Sequence, residues 1–174
     1  RSKVEIEDVS ESFQYYFVDY ESLQTTLNKN EIFVGNSFIS NNSFLVIDPR
    51  LVELGGHILT QDNLLNSDKY EFNNYDINLN YFKNGVLPSS LLSEIKKIYP
   101  LEANIHLLNG IDFKKGCYVG QENTARIKLK NKLSKRLLPV QIIEGEISED
   151  ETININEVEI GKILINDEYP FALV

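Results

Sequence analysis

Methionine is absent from the 174 residues, cysteine occurs once, and histidine twice, while 17 lysines and arginines face 26 aspartates and glutamates. Each shortage removes a class of explanation. A single cysteine, Cys117, leaves no intrachain disulfide, which argues against a stapled secreted scaffold and suits a reducing compartment. One thiol with His57 and His106 cannot complete a four-ligand zinc or cluster site. The two histidines stand too far apart for a metal motif, and both read as structural. No apolar run approaches the ~18 residues of a membrane span, and no signal peptide is visible. A Ser/His/Asp order, a phosphate-binding loop and a dinucleotide fingerprint are all missing. With Arg1 first and no methionine, the sequence reads as a piece of a longer protein.

What is present suits an ordinary globular protein: 42% apolar, 25% charged and 10% aromatic residues. The length allows one domain and a small second one, with roughly 70% of the unfolded surface buried. A net charge of −9 argues against nonspecific nucleic-acid binding by the whole surface. The charge is segregated, however. Between Lys114 and Arg136 lie eight basic residues and one acid, Glu122, leaving nine basic and 25 acidic residues elsewhere. Such an island reads either as a solvated face or as the site of an anionic partner.

Alternation at Val4 and Ile6 and again at Phe13, Tyr15 and Phe17 predicts two strands around a polar turn. Tyr20, Leu23 and Leu27 predict a short helix to about Asn28. Strands are expected around Ile32 to Val34 and Ser43 to Ile47, the latter ended by Asp48-Pro49, with a break at Gly55-Gly56. Asn63 to Asn80 reads as loops with one short strand. Leu91, Leu92, Ile95, Ile98 and Tyr99 form the stripe of a helix capped near Ser89-Ser90 and stopped by Pro100. A short helix is expected from about Val119 to Ala125, then a strand where Ile127 and Leu129 alternate with Arg126, Lys128 and Lys130. Lys128, Lys130, Lys132 and Lys135 would then form the exposed face of a hairpin. Strands at Leu137 to Ile143, Thr152 to Ile155, Val158 to Ile165 and Tyr169 to Val174 suggest a small barrel or sandwich, with a domain boundary near Leu133.

The chemistry concentrates at Lys114-Lys115-Gly116-Cys117-Tyr118-Val119-Gly120-Gln121-Glu122. A thiol acts as nucleophile or soft-metal ligand only as thiolate, a form that neighbouring lysines and a helix N-terminus favour. Flanking glycines allow a ligand to approach the backbone closely. Gln121 and Glu122 read equally as groups that orient the thiol or a ring and as caps of the following helix. Arg126, four residues after Glu122, suits an i, i+4 pair worth ~0.2–0.5 kcal/mol. Glu102 is expected to be a buried acceptor holding the cysteine loop.

This run, with Pro100-Leu101-Glu102-Ala103-Asn104 and Leu108-Asn109-Gly110-Ile111-Asp112-Phe113 upstream and Thr124-Ala125-Arg126 and Arg136-Leu137-Leu138-Pro139 downstream, closely resembles the YgfZ-type folate-binding proteins, relatives of the glycine-cleavage T-protein. Looser matches lie at Arg1-Ser2-Lys3-Val4, Asp48-Pro49-Arg50, Leu54-Gly55, Gly161-Lys162-Ile163 and Phe171-Ala172-Leu173. The resemblance implies an α+β fold: an aminomethyltransferase-like folate-binding domain, here residues 1–132 without its N-terminal part, followed by a small C-terminal β-barrel, residues 133–174. It implies a tetrahydrofolate-type cofactor, no permanently bound metal, and a factor that assembles or repairs iron–sulfur proteins. Its partners would be folate and iron–sulfur clients or assembly proteins, with no membrane. Cys117 and Lys115 would be the working residues, supported by Gly116, Tyr118, Gly120, Gln121, Glu122, Arg126 and Glu102, and Cys117 would ligate metal only transiently. Bacterial cytoplasm is the expected location, with the mitochondrial matrix as the alternative.

Two features depart from the pattern. The family's Thr-Asn-Asp segment, which contributes to the folate pocket, is missing, and Tyr81 stands where the family tends to have an arginine. A folate-dependent aminomethyltransferase and a module binding tRNA through the basic strip are the competing readings. The cysteine tilts away from aminomethyl transfer, because the glycine-cleavage enzyme lacks it there.

Overall fold

The computed structural model describes residues 3–64, 75–88, 91, 98–117, 119–129 and 133–174. The chain divides into two compact units, Arg1–Tyr75 and Asp76–Val174. The expected boundary near Leu133 falls inside the second.

The first unit is built on a four-stranded antiparallel sheet of β1 (Gln14–Val18), β2 (Ser37–Ile39), β3 (Ser43–Ile47) and β4 (Gly56–Thr60), in the order β1-β4-β3-β2. Helix α1 (Tyr20–Thr26) starts where the Asp19 side chain accepts from Ser22 N at 2.9 Å, satisfying one of the free N–H groups of its first turn. Its Leu23 is buried beside Gly56 of β4, and Ile47, Leu54 and Thr60 are buried in the same unit. The period of two turns a different row outward. Tyr15, Leu59, Phe44 and Ile39 stand opposite one another across the four strands and are all exposed.

The second unit opens with α2 (Ile77–Lys83), capped by Asp76, which accepts from Leu79 N and also from the Tyr169 hydroxyl. After α3 (Gln121–Leu129) come β5 (Leu137–Pro139), β6 (Thr152–Ile155), β7 (Val158–Ile165) and β8 (Phe171–Leu173), antiparallel in the order β5-β8-β7-β6. The core joins Leu87, Leu137, Ile165 and Phe171, with Phe82, Leu91, Ile98 and Leu164 packed on it. Phe82 meets Phe171 edge-on at 5.7 Å between ring centres. Residues well before position 133 thus complete the core of the final sheet. Among the described residues that sheet is open and does not close into a barrel.

Several expected elements form otherwise. Val4 and Ile6 are exposed and belong to no strand, because the first described segment has no partner to pair with. Around Ile32 the chain turns: Glu31 Oε2 accepts from Asn28 N at 3.1 Å and Glu31 O accepts from Asn36 Nδ2 at 2.7 Å, so side chains take the bonds a ladder would use. The strand expected after the motif helix is helix instead, since α3 runs on to Leu129. Two turns of alternation are short, and Ala125, Arg126, Lys128 and Leu129 are good helix formers. Lys128 therefore sits on a helix, not a hairpin. Strand β4 and helix α2 were not anticipated, asparagines having obscured the period in α2. The helix expected at Leu91 to Tyr99 and the loop at 65–74 lie mostly or wholly outside the described residues.

Asn156 and Glu157, at φ 49° and 65°, form the tight turn between β6 and β7, a geometry that matches the twist of paired strands. Gly161 of β7 lies so close to β8 that a Cβ would stand 2.4 Å from Leu173 O. Gly161→Ala is expected to lower stability by ~1–3 kcal/mol through this overlap, read as an earlier denaturant midpoint with unchanged slope.

Candidate functional site

The route to the cysteine begins at residues 99–110. Ile105 N donates to Pro100 O at 3.0 Å and Asn104 N to Leu101 O at 3.2 Å, with Asn104 at φ 58°. That is a helix-ending turn with asparagine in the left-handed position. Asn109, also at φ 58°, repeats it with Gly110 N donating to Ile105 O. The five-residue spacing of the two asparagines therefore encodes two successive reversals. Asn104 then clamps the segment to β5: its Nδ2 donates to Leu137 O at 2.8 Å, and Leu137 N donates to Glu102 O at 2.8 Å. The Glu102 carboxylate accepts from Tyr99 N at 2.8 Å. It caps this turn, and among the described residues it makes no bond to the cysteine loop.

Next, Asp112 accepts from Lys114 N at 2.7 Å and bends the chain into the loop. Lys114, Lys115, Gly116 and Cys117 are all exposed, and Cys117 is a free thiol. Nothing lies within 4 Å of a Cβ built on Gly116 or Gly120, so nothing within the described chain fills the space beside these residues. Gly120, at φ 85°, makes the left-handed turn into α3. Gln121 and Glu122 open that helix. Val119, two residues after the thiol in the chain, is fully exposed. Tyr118 lies outside the described residues. The expected pair of Glu122 with Arg126 is not made among the described residues, and Arg126 is exposed. Arg126 and Lys128 instead occupy the last turn of α3, where cations complement the helix dipole.

On the inner side of α3, Leu101, His106, Ile127, Lys128, Leu133 and Arg136 line a cleft of about 150 Å³. Lys128 Nζ lies 3.4 Å from the centre of the Phe113 ring, and Arg136 Nη1 donates to Asn104 Oδ1 at 3.2 Å. His106 was read as structural from sequence, yet its Nδ1 is buried with no hydrogen-bond partner among the described residues. Burial, then the charges of Arg136 and Lys128, pushes its pKa down.

A second constellation lies in the first unit. Asp48 is wholly buried and accepts from Arg50 Nε at 3.0 Å and Nη2 at 2.7 Å, while its Oδ2 lies 3.0 Å from His57 Nε2. An ionised carboxylate only accepts, so the hydrogen lies on Nε2. In the neutral imidazole Nδ1 then accepts from the Tyr15 hydroxyl, 2.7 Å away. Burial of Asp48 opposes its charge, but the bonds from His57 and Arg50 outweigh it and hold the carboxyl well below the usual range. The sequence offered Asp48-Pro49 as a turn and Asp48-Pro49-Arg50 as a loose match to the family pattern, with no link to His57. Register places His57 opposite Phe17 and Val46, and only this pairing brings it to Asp48. Among the described residues no three His, Cys, Asp or Glu side chains converge as a metal site, and no helix is long and apolar enough to cross a membrane.

No profile of a known protein family matches the chain. It is similar to a protein of Dictyostelium discoideum named as a mitochondrial iron–sulfur cluster assembly factor IBA57 homolog, at 32% identity over 80% of this chain and 35% of that protein. A protein of the same name from Scheffersomyces stipitis is 30% identical over 89% of this chain and 44% of its own length. The Homo sapiens mitochondrial iron–sulfur cluster assembly factor IBA57 is 33% identical over 59% and 29%. The chain thus spans less than half the length of these curated relatives.

Asp48 contributes stability that is fully present above its unfolded pKa, about 4, and is lost as pH falls through its lower folded value. Unfolding midpoints should therefore drop with acid below about pH 4. Asp48→Asn is expected to lower stability by ~2 kcal/mol at pH 7 and to flatten that acid limb, as followed by denaturant titration at several pH values. Asn104→Ala removes two side-chain bonds, to Leu137 O and from Arg136, and places alanine in a left-handed turn; a loss of ~2 kcal/mol is expected in the same measurement.

Proposed function

We propose that this chain is part of a mitochondrial iron–sulfur cluster assembly factor of the kind its relatives are named for, working through Cys117. The observation that carries this reading is the exposed thiol on a glycine-flanked loop at the head of α3, in a chain whose relatives carry that name. The open space beside Gly116 and the exposed Val119 suit a partner surface pressed against the thiol. With no described companion ligands around it, Cys117 would bind a metal or cluster together with groups from that partner, transiently and not as a closed site. Lys115, exposed two residues before the thiol, would assist by offering a positive charge to an anionic partner group. The relatives' names favour the mitochondrial matrix over a bacterial cytoplasm.

The aminomethyltransferase-like fold and the tetrahydrofolate-type ligand belong to this proposal through the sequence resemblance. The cleft beside α3, at about 150 Å³, does not fit such a ligand: pockets that enclose molecules of that size measure ~300–1,000 Å³. This chain spans less than half the length of the relatives it matches, so a folate site is not assigned to the cleft, and no step is derived through it.

The test is complementation of cells lacking their own factor of this kind with the full-length protein carrying Cys117→Ala or Cys117→Ser. Both variants should accumulate normally yet leave mitochondrial iron–sulfur enzyme activities at the level of the deletion. Activities equal to wild type in both would overturn the proposal. In the purified protein, Cys117 should be alkylated by iodoacetamide without denaturant.

A further inference from the structure

The basic island does not spread evenly over a surface. Two of its cations, Lys128 from α3 and Arg136 from the start of β5, converge with His106 on one cleft whose other walls are Leu101, Ile127 and Leu133. Neither cation has an ion pair among the described residues: Lys128 rests over the Phe113 ring, and Arg136 donates to the neutral Asn104 amide. In a chain of net charge −9 with 26 carboxylates, two cations left without one at the same cleft are conspicuous. The buried Nδ1 of His106 is the third sign. Buried polar atoms are nearly always paired, and this one has no partner among the described residues. Among the described residues no carboxylate lines the cleft, and Lys128 and Arg136 are the charged groups of its lining. They push its pKa down along with burial and leave it neutral at pH 7, able to donate from Nδ1 in the matching tautomer.

We propose that this cleft is a carboxylate-binding site, taking the terminal carboxylate of a short aliphatic stem between Lys128, Arg136 and His106. The three polar groups supply charge-assisted bonds to an oxyanion. The three aliphatic walls distinguish the ligand: they suit methylenes and leave a hydrated phosphate or a nucleic-acid backbone without polar partners on that side. The volume, about 150 Å³, admits one such group with a few carbons and nothing with a fused ring. The site is separate from Cys117, and its occupancy does not depend on the iron–sulfur reading.

The test uses the 174-residue chain labelled with ¹⁵N at histidine, titrated with glutarate, inorganic phosphate or acetate at pH 7 and low salt. Glutarate should shift the His106 ring resonances saturably and raise the midpoint of His106 titration, since a bound anion favours the imidazolium, while leaving His57 unchanged. Lys128→Gln and Arg136→Gln should each weaken glutarate at least about fivefold, the loss of one charge-assisted bond. Both side chains are exposed, and unchanged thermal unfolding would show that the variants fold. Phosphate binding as tightly as glutarate would overturn the aliphatic-stem assignment. Absence of a saturable His106 shift with all three anions would overturn the site, as would equal glutarate affinity in the folded variants.

Discussion

The clamp between Asn104 and β5 is the constraint on which the functional half of this chain depends. Asn104 in its left-handed conformation ends one turn, donates to Leu137 O and accepts from Arg136, while Glu102 O takes the Leu137 N–H. β5 is itself held by β8, and Arg136 exchanges both backbone bonds with Val174. A short stretch of irregular chain is thereby fastened to a sheet. The cysteine loop and α3 follow from that anchored point. An exposed loop can present a thiol in a defined place only if its base is rigid, and here the rigidity comes from a few backbone bonds and one amide.

The same anchoring explains how an acidic chain keeps a cationic corner. Lys128 and Arg136 come from elements separated by the segment 130–132, and they are brought to one cleft by α3 and by the clamp. Their charges are stabilised by an aromatic face and a neutral amide and, among the described residues, are not compensated by carboxylates. In the first unit the opposite solution is used: buried Asp48 is fully engaged by Arg50 and His57, and its field is spent on structure. One buried charge is thus silent and two exposed ones are available.

Legibility varied with the range of the interactions. α1, β3, β6 and β7 were visible because apolar period, cap and turn agree within ten residues or so, as with Asp19 before α1 and Asn156-Glu157 between β6 and β7. α3 was misread past Ala125 because five alternating residues satisfy a strand pattern while their neighbours favour helix. Val4 and Ile6 carry a strand pattern but pair with no strand among the described residues. Cys117 and its glycines stood out by composition and resemblance, and the structure leaves them exposed. His106 and His57 gave no local signal at all, since each owes its surroundings to residues tens of positions away or to strand register.

The sequence by itself determined the chemical inventory: a single thiol in a basic, glycine-flanked run and too few soft ligands to close a metal site. Those are properties of neighbours along the chain, fixed by covalent order and local backbone preference. Only the tertiary structure decided that Glu102 serves the turn and not the cysteine, that Asp48 meets His57, and that Lys128, Arg136 and His106 share one cleft. The reason is physical: an electrostatic or hydrogen-bonding partnership depends on distance in space, and strand register and a single amide clamp set those distances where spacing along the chain does not.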